Sequence, residues 1–160
     1  MNEHLPTRKP QPLPVIAAVA ATPDSVASDT LQLDALVSAC ALIAHADGWV
    51  THEERGDAHD RMRRLDATAV FGTQRAMLAF DGMIARFYRD PDTATRQAHT
   101  AIARLYGHEG PSQRLVESAC SMAIADGGFD EAERDAILDI CDLLDVDPQA
   151  YGLVAPGGAR

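Results

Sequence analysis

Two short segments of this 160-residue chain carry carboxylates in a spacing that suits metal chemistry. Each has an aspartate followed by glycine, an apolar residue three positions after the aspartate, and a glutamate seven positions after it. Carboxylate oxygens are the ligands that hard divalent cations prefer. Four carboxylates are therefore candidate ligands of a divalent cation, which is the one cofactor that the sequence suggests: Asp47, Glu54, Asp126 and Glu133.

The same pattern matches the second half of a calcium-binding EF-hand loop, from its fifth position to its twelfth. The first half does not match. Its first and third ligand positions hold Ile43 and His45 in one copy, and Met122 and Ile124 in the other. Since a loop without those oxygens would bind calcium weakly, a complete EF-hand is not predicted.

Helix capping offers a purely structural interpretation of most of each segment. The glycine allows one helix to stop, and Thr51 or Asp130 can cap the next. Glu54 or Glu133, three residues later, would then complete a capping box by bonding back to the cap amide. This chemistry needs no ligand.

The two aspartates are not explained by capping. Asp47 and Asp126 follow a helix, where a negative charge is mildly unfavourable against the helix dipole. Hydrogen bonds within the turn, pairing with Arg55 and Arg134, or a bound cation would each offset that charge. The sequence leaves these possibilities open.

Histidines and cysteines give weaker indications of chemistry. Three histidines flank the first turn, where a transition metal is a further possibility: His45, His52 and His59. The three cysteines lie in apolar helical runs, which favours buried, inert thiols: Cys40, Cys120 and Cys141. Because no phosphate-binding loop or nucleophile motif occurs, we expect a protein that is not an enzyme.

Net charge restricts the partners. The chain has 24 acidic and 14 basic residues, a formal net charge of −10. Such a surface repels nucleic acid and anionic membranes, and it favours cations and proteins. The apolar run over residues 13–21 is too short to span a membrane. We therefore expect a cytoplasmic protein with a protein partner, or a homodimer.

Helical periodicity extends through most of the chain, and no segment alternates long enough for a strand. Five of the nine prolines lie in residues 1–28, which predicts a flexible arm. Residues 29–153 are predicted to form one all-α domain of about seven helices, and residues 154–160 a frayed tail. The predicted helices cover about 29–46, 51–65, 73–88, 91–106, 111–125 and 131–144, with a short turn over 148–151.

An internal repeat relates the two acidic segments. Shifting the chain by 79 residues superimposes nine identical residues over 23 positions, and Asp47 falls on Asp126. The match predicts two copies of one helix–turn–helix unit packed about a pseudo-two-fold axis. The two Asp-Gly turns would then be equivalent.

Residues 38–48 and 117–127 resemble the paired helix-plus-turn pattern of TerB-like (tellurite-resistance) domains, as do residues 129–134 and 140–144. The similarity covers about residues 30–153. It implies an all-α bundle that acts in tellurite resistance and stress responses by binding metal or protein. The family's acidic site would fall on Asp47, Glu54, Asp126 and Glu133. Related domains occur in J-domain co-chaperones, so the alternative is a structural or co-chaperone-type adaptor without a metal.

Overall fold

The computed structural model describes residues 23–48, 51–124 and 130–153, with side chains from Ser28 onward. This part of the chain contains helices and turns but no strand, which confirms the all-α prediction. Asp126, residues 1–22 of the predicted arm over 1–28, and the predicted tail over 154–160 lie outside the described residues. The elements are α1 Pro23–Ala44, α2 His52–Arg64, α3 Asp66–Phe71, α4 Thr73–Arg89, α5 Pro91–Ala103, α6 Glu109–Ile124, α7 Glu131–Leu144 and a 3₁₀ helix Pro148–Tyr151.

Helix α1 is the centre of the bundle and packs against α2, α4, α5, α6 and α7. Sequence periodicity predicts one apolar stripe on this helix, whereas almost every residue from Leu33 to Ile43 is buried. A helix that is apolar all round belongs inside a protein. Ala35 and Ala39 on α1, and Ala94 and Ala98 on α5, are almost fully buried. Such small side chains allow two helix axes to approach closely.

Helices α4 and α5 form a tight hairpin around Asp90. The Asp90 carboxylate caps α5 by accepting a 3.0 Å hydrogen bond from the amide of Thr93, and Pro91 follows at the first helical position. The predicted start of this helix at residue 91 is confirmed, and proline suits the first helical position. The stripe on α4 is also confirmed, because Met77, Phe80, Ile84 and Phe87 are buried.

Two helix boundaries differ from the sequence prediction by more than two residues, and one short helix was not predicted. Helix α1 begins at Pro23 rather than after a cap at Ser28; proline suits a first turn because its missing amide would have no helical partner there. Helix α5 ends at Ala103, and i→i+3 turns continue to Gly107 at φ 81°. Helix α3 was not predicted. Six residues are too few to show a helical period, and its buried Thr68 hydroxyl donates to the Met62 carbonyl at 2.7 Å.

The two predicted hairpins, α1–α2 and α6–α7, lie side by side, because α6 packs against both α1 and α2. Their equivalence about a two-fold axis stays a prediction. None of the helices in the described ranges is both long and apolar enough to cross a membrane. The contact between the hairpins positions the candidate site.

Candidate cation site at the Asp-Gly turns

Both predicted capping boxes are present. In the first, the Thr51 amide donates to Glu54 Oε2 at 2.7 Å, and the Glu54 amide donates to Thr51 Oγ1 at 3.2 Å. In the second, the Asp130 amide donates to Glu133 Oε2 at 3.3 Å, and the Glu133 amide donates to Asp130 Oδ1 at 2.7 Å. In each capping box the glutamate therefore accepts through Oε2 only, and its Oε1 takes no part in the box.

Asp47 follows α1 on the surface, just before Gly48, whose φ of 94° suits glycine. Its carboxylate makes no hydrogen bond or ion pair with any residue that the structure describes. The sequence left a pairing of Asp47 with Arg55 open; in the structure the Arg55 guanidinium lies 5.8 Å from the ring centroid of Tyr88 instead. The equivalent pairing of Asp126 with Arg134 lies outside the described residues.

Arg61 connects the two hairpins at this point. Its Nη1 lies 3.6 Å from Glu133 Oε1 and donates to the Met122 carbonyl at 3.5 Å. The side chains of Arg61 and Glu133 are only 18% and 16% exposed, so the pair is largely shielded from water. The contact draws α2 onto the end of α6 and the start of α7. Glu133 Oε1, the oxygen that takes no part in the second capping box, therefore lies against the first hairpin.

Glu133 lies in an electrostatically crowded position. Burial raises the pKa of its carboxyl, and the negative charges of Asp130 and Asp47 raise it further. The capping hydrogen bond and the Arg61 guanidinium act in the opposite direction but do not cancel the rise. The charge of Asp47, on the first turn, therefore acts electrostatically on Glu133 of the second capping box. A positive charge added here would be stabilising.

The four predicted ligands are therefore not placed alike. Asp47 acts electrostatically on Glu133, whereas Glu54 is exposed and engaged with its own capping box. Asp126 is outside the described ranges. Within those ranges, no group of three or more histidine, cysteine or carboxylate side chains is arranged to hold a metal.

The histidines around the first turn do not converge on a site. His45 Nδ1 lies 3.0 Å from the Ala41 carbonyl, and its ring stacks on Phe87 with centroids 4.6 Å apart. Burial lowers the pKa of His45. His59 Nε2 lies 3.0 Å from Asp81 Oδ1 on α4. Since these two imidazoles are engaged in different directions, the transition-metal alternative has no support from their geometry.

The three cysteines lie in the core as predicted. Burial raises the pKa of Cys40 to about 12, and the pKa values of Cys120 and Cys141 are raised to about 11. A thiolate is the reactive form of cysteine, so these thiols are poor nucleophiles at neutral pH.

We expect none of the three thiols to react with a disulfide reagent such as Ellman's reagent in the native protein at about pH 8. All three should react once the chain is unfolded in urea, which is the control. Absorbance of the released chromophore gives the number of reactive thiols. One thiol that reacts as fast in the native protein as in the unfolded one would contradict the assignment.

Arg61 is the residue that sequence reasoning missed. Its position on α2 could have indicated its role. Arg61 lies seven residues after Glu54 and three after the buried Ala58, so it belongs to the inward face of the helix. An arginine on such a face requires an acceptor from a neighbouring helix. The sequence does not say which helix supplies it.

With this geometry in place, comparison with known families decides the identity of the fold. A family model described as tellurite resistance protein TerB matches residues 33–155. The chain belongs to the TerB family. The matched range begins in α1 and runs past the 3₁₀ helix, so the TerB domain includes both capping boxes and Arg61. No curated protein and no solved structure matches the chain.

Proposed function

We propose that this TerB protein is a non-enzymatic module that binds a hard divalent cation where its first Asp-Gly turn meets its second capping box. The observation that carries the proposal is the position of Glu133: its Oε1 lies 3.6 Å from Arg61 of the first hairpin, and the charge of Asp47 acts on its carboxyl group. Asp47 has no partner among the described residues, and Glu133 keeps one oxygen outside its box. A cation would offset both charges.

The donor set indicates the class of cation. Every candidate ligand is a carboxylate, and the thiols are buried in the core. Oxygen donors suit Mg²⁺, Ca²⁺ and Mn²⁺ better than metals that prefer sulfur or imidazole. Asp126, outside the described residues, stays a predicted ligand. Tellurite is itself an anion, so a carboxylate site would repel it. The ligand proposed for this site is therefore a cation and not tellurite.

The alternative is a structural adaptor without a metal, and one observation favours it. Arg61 already brings a positive charge to Glu133 Oε1 at 3.6 Å. In that account the arginine joins the hairpins, and the acidic surface serves only to meet a protein partner. The two accounts differ in what an added cation does to stability.

Thermal unfolding with Ca²⁺, Mn²⁺ or Zn²⁺ tests the proposal. A cation at a hundred times its Kd stabilises the folded state by about 2.7 kcal/mol, which corresponds to a rise in Tm of roughly 5–11 °C for a domain of this size. We expect this rise with Ca²⁺ or Mn²⁺. Asp47→Asn and Glu133→Gln should each remove most of it, although glutamine still completes a capping box.

Asp57→Asn is the matched control, because it removes one exposed carboxylate of α2 without touching the site. It should leave the metal-induced shift intact. The proposal fails if none of the three metals changes the Tm of the wild type, or if both site variants retain the full shift.

A further inference from the structure

Helices α4 and α5 carry an arginine-lined groove. It lies between α4 and α5, with α1 at its base, and its volume is about 1030 Å³. Four arginines line it, against two aspartates: Arg86, Arg89, Arg96 and Arg104. The whole chain has only 14 basic residues and a net charge of −10. The groove is therefore locally basic in a chain that is acidic overall.

These arginines are not used to hold the fold together. Arg86, Arg89 and Arg104 are exposed and form no ion pair or hydrogen bond with the described residues. Arg96 donates only to the Thr93 hydroxyl of its own helix, at 2.9 Å. Of the two groove aspartates, Asp90 is engaged in capping α5. The guanidinium groups therefore keep most of their donors available for a ligand.

The surface between the arginines is apolar and open. Leu78 lines one end and is 66% exposed, which is unusual for a large aliphatic side chain. Val37 and Met83 lie at the base, and small residues such as Ala79 and Gly82 keep the groove wide. From Leu78 to Arg89 the α4 wall is about 16 Å long at 1.5 Å per residue. That length accommodates two to three turns of a helix.

We propose that this groove binds a protein partner through an amphipathic helix that carries aspartate or glutamate beside its apolar face. Apolar anchors of such a helix would pack on Leu78 and the base of the groove, as in other helix-in-groove complexes. Its carboxylates would pair with the arginines, whose planar donors match carboxylates bidentately. This proposal is independent of the cation site.

Charge and shape favour this occupant over other anions. A duplex nucleic acid or an anionic membrane would meet the acidic remainder of the chain, which repels it. A membrane surface is also too flat to reach the apolar base of a groove. A peptide helix presents a narrow surface that can enter, and its acidic side chains need only local positive charge.

Peptide display with the full-length protein tests the proposal. A library of helical peptides is selected on the wild type, with counter-selection on Arg86→Glu/Arg96→Glu. The enriched peptides should be amphipathic and acidic. In calorimetric titrations the double variant should bind them at least about tenfold more weakly, and raising the salt from about 50 to about 300 mM should weaken wild-type binding.

The matched control is Arg63→Glu/Arg134→Glu, which reverses two exposed arginines outside the groove. It should bind the peptides as the wild type does, and circular dichroism should show both double variants folded. Enrichment of neutral or basic peptides, or equal affinity for both double variants, would overturn the proposal. It would also be overturned if the groove variant abolished binding to a DNA duplex or anionic vesicles, or dissolved a dimer of the chain, without weakening peptide binding.

Discussion

Replacing Phe80 with alanine is expected to lower the free energy of unfolding by about 3–5 kcal/mol. Phe80 is fully buried on α4, among the largest side chains in the core, and its ring lies 6.1 Å from that of His59 on α2. The substitution removes apolar burial and leaves a cavity that α1 and α4 cannot close without shifting. Urea denaturation measures the loss, which corresponds to a fall in Tm of roughly 6–20 °C.

Leu78→Ala, two residues earlier on α4, is the matched control. Its side chain is 66% exposed, so its removal should change stability by no more than about 0.5 kcal/mol. If Phe80→Ala costs less than about 1 kcal/mol, or if Leu78→Ala costs as much, the assignment of core and surface faces on α4 is wrong.

Arg61→Gln should have two effects of opposite sign. Without cation, the variant removes the positive charge that offsets the Glu133 carboxylate. The free energy of unfolding should therefore fall by about 1–3 kcal/mol. With Mn²⁺ or Ca²⁺, the same variant should bind the cation more tightly than the wild type, because a competing positive charge has gone. Thermal unfolding with and without metal measures both effects.

Arg63→Gln, exposed on the same helix, is the control and should show neither effect. The double variant Arg61→Gln/Glu133→Gln separates the pair from the rest of the site: it should be more stable than the sum of the single changes predicts. Additive losses would mean that Arg61 stabilises the fold independently of Glu133. Unchanged or weaker metal binding in Arg61→Gln would contradict a cation site that includes Glu133.

The sequence alone predicted much of the fold, because the signals were local. The capping boxes at Thr51 and Asp130 depend on residues three apart in one chain segment, and both formed as expected. The proline after Asp90 likewise marked the start of α5. Local signals failed for α3, whose stability depends on the Thr68 hydroxyl reaching the end of α2.

The candidate site could be predicted only in part, since it depends on contacts between distant segments. The pattern indicated Asp47 and Glu133 as ligands, but the electrostatic influence of one on the other depends on how α6 packs against α1 and α2. Arg61 was missed because its acceptors are more than sixty residues away. The arginine groove gave no motif, since its charges are spread over two helices that only the α4–α5 hairpin brings together.

Calorimetric titration of Mn²⁺ and Ca²⁺ into the full-length protein tests the central claim most directly. A cation site shared by Asp47 and Glu133 predicts saturable binding of at least one of these cations. Asp47→Asn and Glu133→Gln should each weaken the binding by about tenfold or more, and Asp57→Asn should leave it unchanged. The absence of saturable binding to the wild type, or equal binding by all four proteins, would contradict a cation site between the two hairpins.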